Sequence, residues 1–174
     1  MEILVALLRG INVGGNNILP MTELKALCEG IGFKNVQTYI QSGNVLFESK
    51  VPEEKAAVKL QEALKTKLPN PVSVMIRTIE ELETIVANNP FPSANPSQVG
   101  VLFLEQIVDE SIVEEFSKKE TEEIITGKRE IYIHYPNGMG RSKLKFPKIA
   151  KKGTVRNINT VKKLAELAKK IKSN

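Results

Sequence analysis

The order of predicted strands and helices in the first half of the chain constrains the fold most strongly. The apolar run at 2–9 is typical of a strand buried on both faces, and apolar residues at helical spacing from 21 to 31 predict a helix. Two short strands, a helix and a strand follow at 35–40, 45–48, 52–68 and 72–77. The resulting βαββαβ order is the ferredoxin-like split βαβ pattern.

The second half of the chain repeats this order in part. The predicted helices lie at 79–88, around 111–118, near 142–150 and at 159–172. The predicted strands lie at 99–105 and, as a hairpin, at 123–126 and 130–135. A loop rich in Pro, Asn and Ser at 89–98 is a candidate boundary. We therefore predict an α+β fold, a duplicated ferredoxin-like α/β sandwich with closely packed subdomains at 1–78 and 79–174.

Positive charge is concentrated toward the end of the sequence. Residues 141–174 contain twelve lysines and arginines and one acid, whereas residues 79–140 contain four bases and twelve acids. The formal net charge of +5 is therefore the balance between an acidic and a strongly basic segment. A basic segment of this kind favours an anionic partner.

Composition excludes several classes of site. A single cysteine, Cys28, and a single histidine, His134, leave no internal disulfide and no His-rich or multi-cysteine metal site, and we assign neither a metal nor a cofactor. Cys28 fits the apolar side of its helix, and His134 is expected on the solvent side of its strand. No apolar run approaches the roughly 20 residues that span a bilayer. The sequence predicts a cytoplasmic protein with no membrane partner.

A loop rich in glycine and asparagine joins the first strand to the first helix. It reads RGINVGGNN at 9–17 and supplies the candidate ligand-binding residues Arg9, Asn12, Gly14, Gly15 and Asn16. Glycine backbone beside a helix N-terminus exposes N–H groups where a phosphate is favoured. The spacing is that of neither a P-loop nor GxGxxG. A structural connection that needs positive φ angles is the alternative interpretation.

Two further groups of polar residues complete the candidate site. The first is the hairpin end with Gln41, Ser42 and Asn44, whose amides and hydroxyl are able to bind a polar ligand or simply to form the turn. The second precedes the predicted C-terminal helices. There, arginine side chains and helix N–H groups suit a phosphate or carboxylate, although an asparagine before the last helix also suits an N-cap. These residues are Arg141, Ser142, Lys143, Arg156 and Asn157.

Three stretches of the sequence resemble one bacterial family. They are RGINVGGNN at 9–17, TYIQSGNVLF at 38–47, and RSKL at 141–144 together with TVRNINTVKKL at 154–164. The chain is similar in these motifs to domain-of-unknown-function family 1697 (DUF1697). The resemblance implies a duplicated ferredoxin-like α+β architecture and brings no activity, cofactor or catalytic residue with it. Ile158 departs from the family, whose members often carry tryptophan at that position.

The combination of Gly/Asn-rich loops with a basic segment favours one function over its alternatives. We predict binding of a phosphorylated small molecule, a nucleotide or a nucleic-acid backbone. An enzyme acting on a polar or phosphorylated metabolite is the first alternative, although the motifs contain no evident general base or nucleophile. A structural or oligomeric module without a ligand is the second. No catalytic residue is assigned, and the oligomeric state stays open.

Overall fold

Two four-stranded antiparallel sheets form the framework of the protein, with four α-helices among residues 1–173. The computed structural model describes the backbone of residues 1–173 and the side chains of residues 1–172. One compact unit contains Met1–Leu82 and the chain from Leu164 onward, and the other contains Glu83–Lys163. The prediction of an α+β fold is confirmed. The loop at 89–98, predicted as a boundary, lies inside the second unit.

The first unit follows the predicted order of elements. These are β1 (Glu2–Arg9), α1 (Met21–Gly30), β2 (Lys34–Tyr39), β3 (Asn44–Ser49), α2 (Glu53–Lys65) and β4 (Ser73–Thr78). The strands are arranged in the sheet as β2-β3-β1-β4, and all neighbouring strands are antiparallel. A further helix, α3 (Ile79–Ala87), begins directly after β4.

Both faces of β1 are buried, which explains its unbroken apolar run. Alternate residues of a strand point to opposite faces. Leu4, Ala6 and Leu8 belong to the core cluster beneath α1 and α2, which also contains Cys28, whereas Val5 and Leu7 are buried on the opposite face. Burial raises the pKa of the Cys28 thiol to about 12, so this residue is an inert core side chain as predicted.

The second unit contains a sheet with the corresponding strand order. Its strands are β5 (Val99–Phe103), β6 (Glu123–Thr126), β7 (Glu130–His134) and β8 (Thr154–Asn157), arranged as β6-β7-β5-β8. The last helix, α4 (Ile158–Ser173), begins directly after β8, and the first residue of α4 is a buried isoleucine. None of the helices within residues 1–173 is long and apolar enough to cross a membrane.

Two predicted helices of the second unit are wrong. The segment predicted at 111–118 contains only a 3₁₀ helix, Glu110–Glu115, because Phe116 adopts an extended conformation and buries its ring. The segment predicted at 142–150 is irregular, because the Lys145 backbone forms two hydrogen bonds with Ser117 and Pro147 removes a helical donor. Short helices of this length are marginal unless tertiary packing supports them.

The predicted solvent exposure of His134 is also wrong. Its side chain is only 17% exposed, and Nδ1 lies 3.4 Å from the Glu123 carboxylate. The imidazole packs against Phe91 with ring centroids 5.4 Å apart. Tyr132, on the same side of β7, is buried and donates a hydrogen bond to the carbonyl of Ile85. Both faces of this strand therefore pack against protein, which simple alternation did not predict.

Candidate functional site

The Gly/Asn-rich loop of the first unit folds as a miniature hairpin. Val13 and Asn16 form an antiparallel bridge, and the Asn16 N–H donates to the Val13 carbonyl at 3.0 Å. Gly14 and Gly15, at the tip, have φ angles of 59° and 77°. Two consecutive positive φ angles are what a type I′ turn requires, and glycine adopts them at little cost. The predicted need for left-handed backbone in this loop is therefore confirmed.

Two asparagines hold the base of this hairpin against the rest of the first unit. The Asn12 amide donates to the carbonyls of Leu19 and Gln41, and its oxygen accepts from the Leu19 N–H. The Asn17 amide donates to the carbonyls of Gly10 and Asn70, and its oxygen accepts from the Asn70 N–H. Both donors of the Asn12 amide are used by the protein itself. Asn12 is therefore a structural residue, although it was predicted as a ligand-binding one.

We expect Asn12→Ala to lower the free energy of unfolding by about 2 kcal/mol. The substitution removes hydrogen bonds to three backbone groups and places alanine at a φ of 54°, which only glycine and asparagine tolerate well. Chemical denaturation of both proteins measures the difference. Asn16→Ala, at an exposed position of the same loop, is the matched control and should change stability by less than about 0.5 kcal/mol. Equal effects of the two substitutions would contradict the role of Asn12.

The turn between β2 and β3 lies beside this hairpin. The Asn12 bond to the Gln41 carbonyl, 3.0 Å long, joins the two segments, and the Leu8 N–H of β1 donates to the Gly43 carbonyl of the turn at 2.8 Å. Asn44 is fully buried, and its amide donates to the Tyr39 carbonyl and to Ser42 Oγ. Gln41 and Ser42 are exposed. The structure thus brings the two motifs of the first unit together, and Asn12, Asn17 and Asn44 form hydrogen bonds within the protein.

A basic loop, residues 141–152, is the most highly charged surface segment of the second unit. Arg141, Lys143, Lys145, Lys148, Lys151 and Lys152 are all exposed, and the segment contains no acid. Lys143 Nζ lies 4.0 Å from the Glu120 carboxylate. For the other five side chains, no ion pair is present within the part of the chain that the structure describes. The loop therefore presents a dense, largely uncompensated positive charge to solvent.

The basic loop is held in place although it lacks regular structure. Two backbone hydrogen bonds join Lys145 to Ser117, at 2.8 and 3.0 Å. The Phe146 ring contacts the buried Phe116 ring edge-on, with centroids 5.4 Å apart. Pro147 and Ala150 are buried beneath the exposed lysines. These anchors fix the path of the backbone while the charged side chains remain in water.

Glu122 anchors the first residues of the basic loop. One carboxylate oxygen accepts from Ser142 Oγ at 2.6 Å, and the other accepts from the backbone N–H groups of Glu120 and Thr121. The Ser142 hydroxyl in turn accepts from the Leu144 N–H. Hydrogen bonds from Ser142 and the backbone lower the pKa of Glu122, which is therefore ionised near neutral pH. Sequence reasoning selected Ser142 and missed Glu122, because nothing distinguishes this acid from its many acidic neighbours.

Arg156 lies on β8 and is buried. Its Nη1 donates to Thr154 Oγ1 at 2.6 Å and to the Val155 carbonyl at 3.1 Å. Burial lowers its pKa to about 10. Val155 packs with Met139 on the face of the sheet that carries the core cluster of this unit. Arg156 points to the opposite face, because side chains alternate along a strand. The structure therefore separates Arg156 from the basic loop, with which the sequence had grouped it.

Asn157 caps the last helix. Its Oδ1 accepts from the Asn159 N–H at 2.8 Å, at the point where α4 begins. A capping side chain of this type satisfies one of the first free N–H groups of a helix. The N-cap alternative that the sequence offered for this position is confirmed.

Comparison with known proteins places the chain in a family. The model of the protein family of unknown function DUF1697 matches residues 1–132. The chain belongs to this family. A solved structure, described as a conserved bacterial protein from Streptococcus pneumoniae, is similar to this DUF1697 member with a TM-score of 0.79 and 26% sequence identity. The similarity covers 96% of this chain and 98% of the other. None of the curated proteins matches the chain.

The DUF1697 match and the positive surface lie in different parts of the sequence. Residues 1–132 contain the Gly/Asn-rich loop and the turn at 41–44, in which Asn12, Asn17 and Asn44 have structural roles. The basic loop begins at Arg141, beyond the matched residues. Any binding role for that loop must therefore be argued from the residues of this chain.

Proposed function

We propose that the protein is a cytoplasmic nucleic-acid-binding protein whose basic loop contacts the phosphate backbone. The observation that carries this proposal is the set of six exposed cations and no acid within residues 141–152, on a segment whose backbone is anchored. Phosphate contacts by lysine and arginine supply most of the affinity of sequence-independent binding. An ordered backbone presents these charges without first losing conformational entropy.

Geometry favours a polyanion over a small phosphorylated molecule. A pocket for a small ligand is usually concave and mostly apolar, with a few converging polar groups. The six exposed cations of the basic loop are instead distributed over a twelve-residue segment. A nucleic-acid backbone has a comparably extended row of charges. Phe146 is the only aromatic residue of the loop, so the loop offers little for base stacking or base-specific contacts.

Exposed residues of the first unit form a second, independent part of the proposal. Arg9, Gly14, Gly15 and Asn16 are exposed on the miniature hairpin, and Gln41 and Ser42 on the adjoining turn. An exposed guanidinium and exposed glycine backbone are each groups that suit a phosphate. The alternative, that this surface only stabilises the fold, is supported by the amides of Asn12 and Asn44, which donate their hydrogen bonds to protein groups. We therefore assign this surface a weaker role than that of the basic loop.

We further propose that the two sheets are duplicated ferredoxin-like units divided near residues 78 and 79. The matching strand arrangements β2-β3-β1-β4 and β6-β7-β5-β8 support the duplication. Arg77 and Arg156 occupy corresponding places, opposite Val5 and Val101 on the adjacent strands. Both arginines are buried and donate to the carbonyl of the residue before them.

Salt titration of nucleic-acid binding tests the proposed function. Fluorescence anisotropy with labelled single-stranded and duplex oligonucleotides of mixed sequence should give a plot of log K against log salt with a slope of about −4, corresponding to four or five phosphate contacts. Affinity should fall about 200-fold between 50 and 200 mM salt. Inorganic phosphate and mononucleotides serve as competitors. A slope shallower than about −1, or equal competition at equal phosphate concentration, would contradict backbone binding and favour a small ligand.

A further inference from the structure

The Glu122 carboxylate occupies an unexpected position beside a loop proposed to bind anions. An acid near such a surface opposes the approach of a polyanion, and its removal raises the net charge by one. Glu122 is nevertheless 6% exposed and hydrogen-bonded to Ser142 at the beginning of the basic loop. Its second oxygen is bound by two backbone N–H groups, so its position is fixed independently of the loop.

We propose that Glu122 and Ser142 form a clip that positions the basic loop for phosphate binding, an inference that rests on the proposed function. The carboxylate is a rigid acceptor, because Glu120 and Thr121 hold it from one side. Ser142 links the fixed carboxylate to the backbone of the basic loop, since its hydroxyl also accepts a hydrogen bond from the Leu144 N–H. Arg141 and Lys143 flank Ser142, so the clip determines where the side chains of these two cations leave the backbone. Glu122 is thus a positioning residue and does not itself touch the ligand.

Glu122 has two opposing effects on the binding of a polyanion. Its negative charge weakens polyanion binding, although salt screens this repulsion at distances beyond about 8 Å. Its hydrogen bond to Ser142 strengthens binding by keeping the loop ordered, because a loose segment must be ordered during association. Ordering even a few backbone residues during association opposes binding through lost conformational entropy. We infer that the ordering effect exceeds the repulsion. Glu122→Gln should therefore lower the affinity for an oligonucleotide, whereas repulsion alone would raise it.

The experiment measures oligonucleotide binding by Glu122→Gln, Ser142→Ala and the double variant at fixed salt. The clip predicts that each single variant binds about three- to tenfold more weakly, although neither loses a positive charge. It also predicts that the double variant is no weaker than either single one, because both substitutions break the same interaction. Ser142→Thr, which keeps the hydroxyl, should retain the affinity of the unmodified protein. Tighter binding by Glu122→Gln together with unchanged binding by Ser142→Ala would overturn the clip and leave the proposed function intact.

A second measurement separates failure of the clip from failure of the proposed function. Limited trypsin digestion reports loop order directly, because Arg141 and Lys143 are exposed cleavage sites on either side of Ser142. The clip predicts faster cleavage at these two residues in Glu122→Gln and Ser142→Ala, and unchanged cleavage after Lys55 and Lys59 in α2. Circular dichroism verifies that each variant is folded. Unchanged cleavage after Arg141 and Lys143 would overturn the clip, whereas faster cleavage in a protein that binds no oligonucleotide would overturn the proposed function and the positioning role with it.

Discussion

Neutralising Lys148, Lys151 and Lys152 together as Lys→Gln should weaken oligonucleotide binding about 100-fold at physiological salt. All three side chains are exposed, and none belongs to the Glu122–Ser142 clip or to the pairing of Lys145 with Ser117. Each phosphate contact contributes about 0.9 to the salt slope for duplex DNA, so the triple variant should have a slope shallower by about 3. Anisotropy titrations at several salt concentrations measure affinity and slope together.

The control for this variant carries the same change of net charge elsewhere. Lys55 and Lys59 on α2, with Lys67 just beyond that helix, are exposed lysines of the first unit. Their joint replacement by glutamine also lowers the formal net charge of +5 by three. If the basic loop is the binding surface, this control should bind within about threefold of the unmodified protein, since exposed charges that do not contact the ligand contribute little once salt screens them. Equal losses in both triple variants would mean that net charge, and not the loop, determines binding.

Gly153→Ala should destabilise the protein by about 3 kcal/mol or more, the largest effect we expect from a single methyl group. A Cβ at Gly153 would collide with the backbone carbonyl of Phe103 and would lie 2.7 Å from Leu104 Cδ2 and 2.9 Å from Leu102 Cδ1. The carbonyl belongs to the central strand β5 and is unable to move away as a flexible side chain would. Insertion of atoms into a packed interior of this kind destabilises proteins by about 1–3 kcal/mol and sometimes more.

Thermal unfolding distinguishes this steric effect from a general intolerance of glycine substitution. For a chain of this size, 3 kcal/mol corresponds to a fall in Tm of about 6–12 °C. Gly140→Ala is the matched control within the same unit, because a Cβ there meets nothing within 4 Å. It should leave Tm unchanged within about 2 °C. A Tm for Gly153→Ala equal to that of the control would show that Gly153, the residue before β8, does not approach β5 as closely as described.

Local sequence patterns were sufficient for the first unit because its elements are long and periodic. The apolar run of β1, the helical spacing in α1 and α2 and the glycines of the miniature hairpin all specify their own conformation. In the second unit, long-range contacts determine the structure. The segment at 142–150 is irregular because Lys145 pairs with Ser117 and because Pro147 is a poor helix residue. Neither partner is recognisable from the local pattern.

The candidate site was predictable in its charge and much less so in its geometry. The accumulation of lysine and arginine is a property of the sequence, and the structure leaves the cations of the basic loop exposed. Arg156 has the same charge but is buried on β8, and only the burial of that strand shows that it is structural. Nothing in the sequence distinguishes Gly153 from Gly140, although only Gly153, which precedes β8, lies against strand β5. The partnership of Ser142 with Glu122 joins residues too far apart in the chain to be inferred from a motif.

Amine-reactive footprinting with and without a saturating oligonucleotide tests the central claim most directly. Acetylation of lysines, quantified by mass spectrometry, reports which ammonium groups a bound polyanion covers. Binding through the basic loop predicts strong protection of Lys148, Lys151 and Lys152, with Lys55 and Lys59 in α2 modified at the same rate in both samples. Protection confined to α2, or spread evenly over the lysines of both units, would contradict the assignment of phosphate binding to residues 141–152.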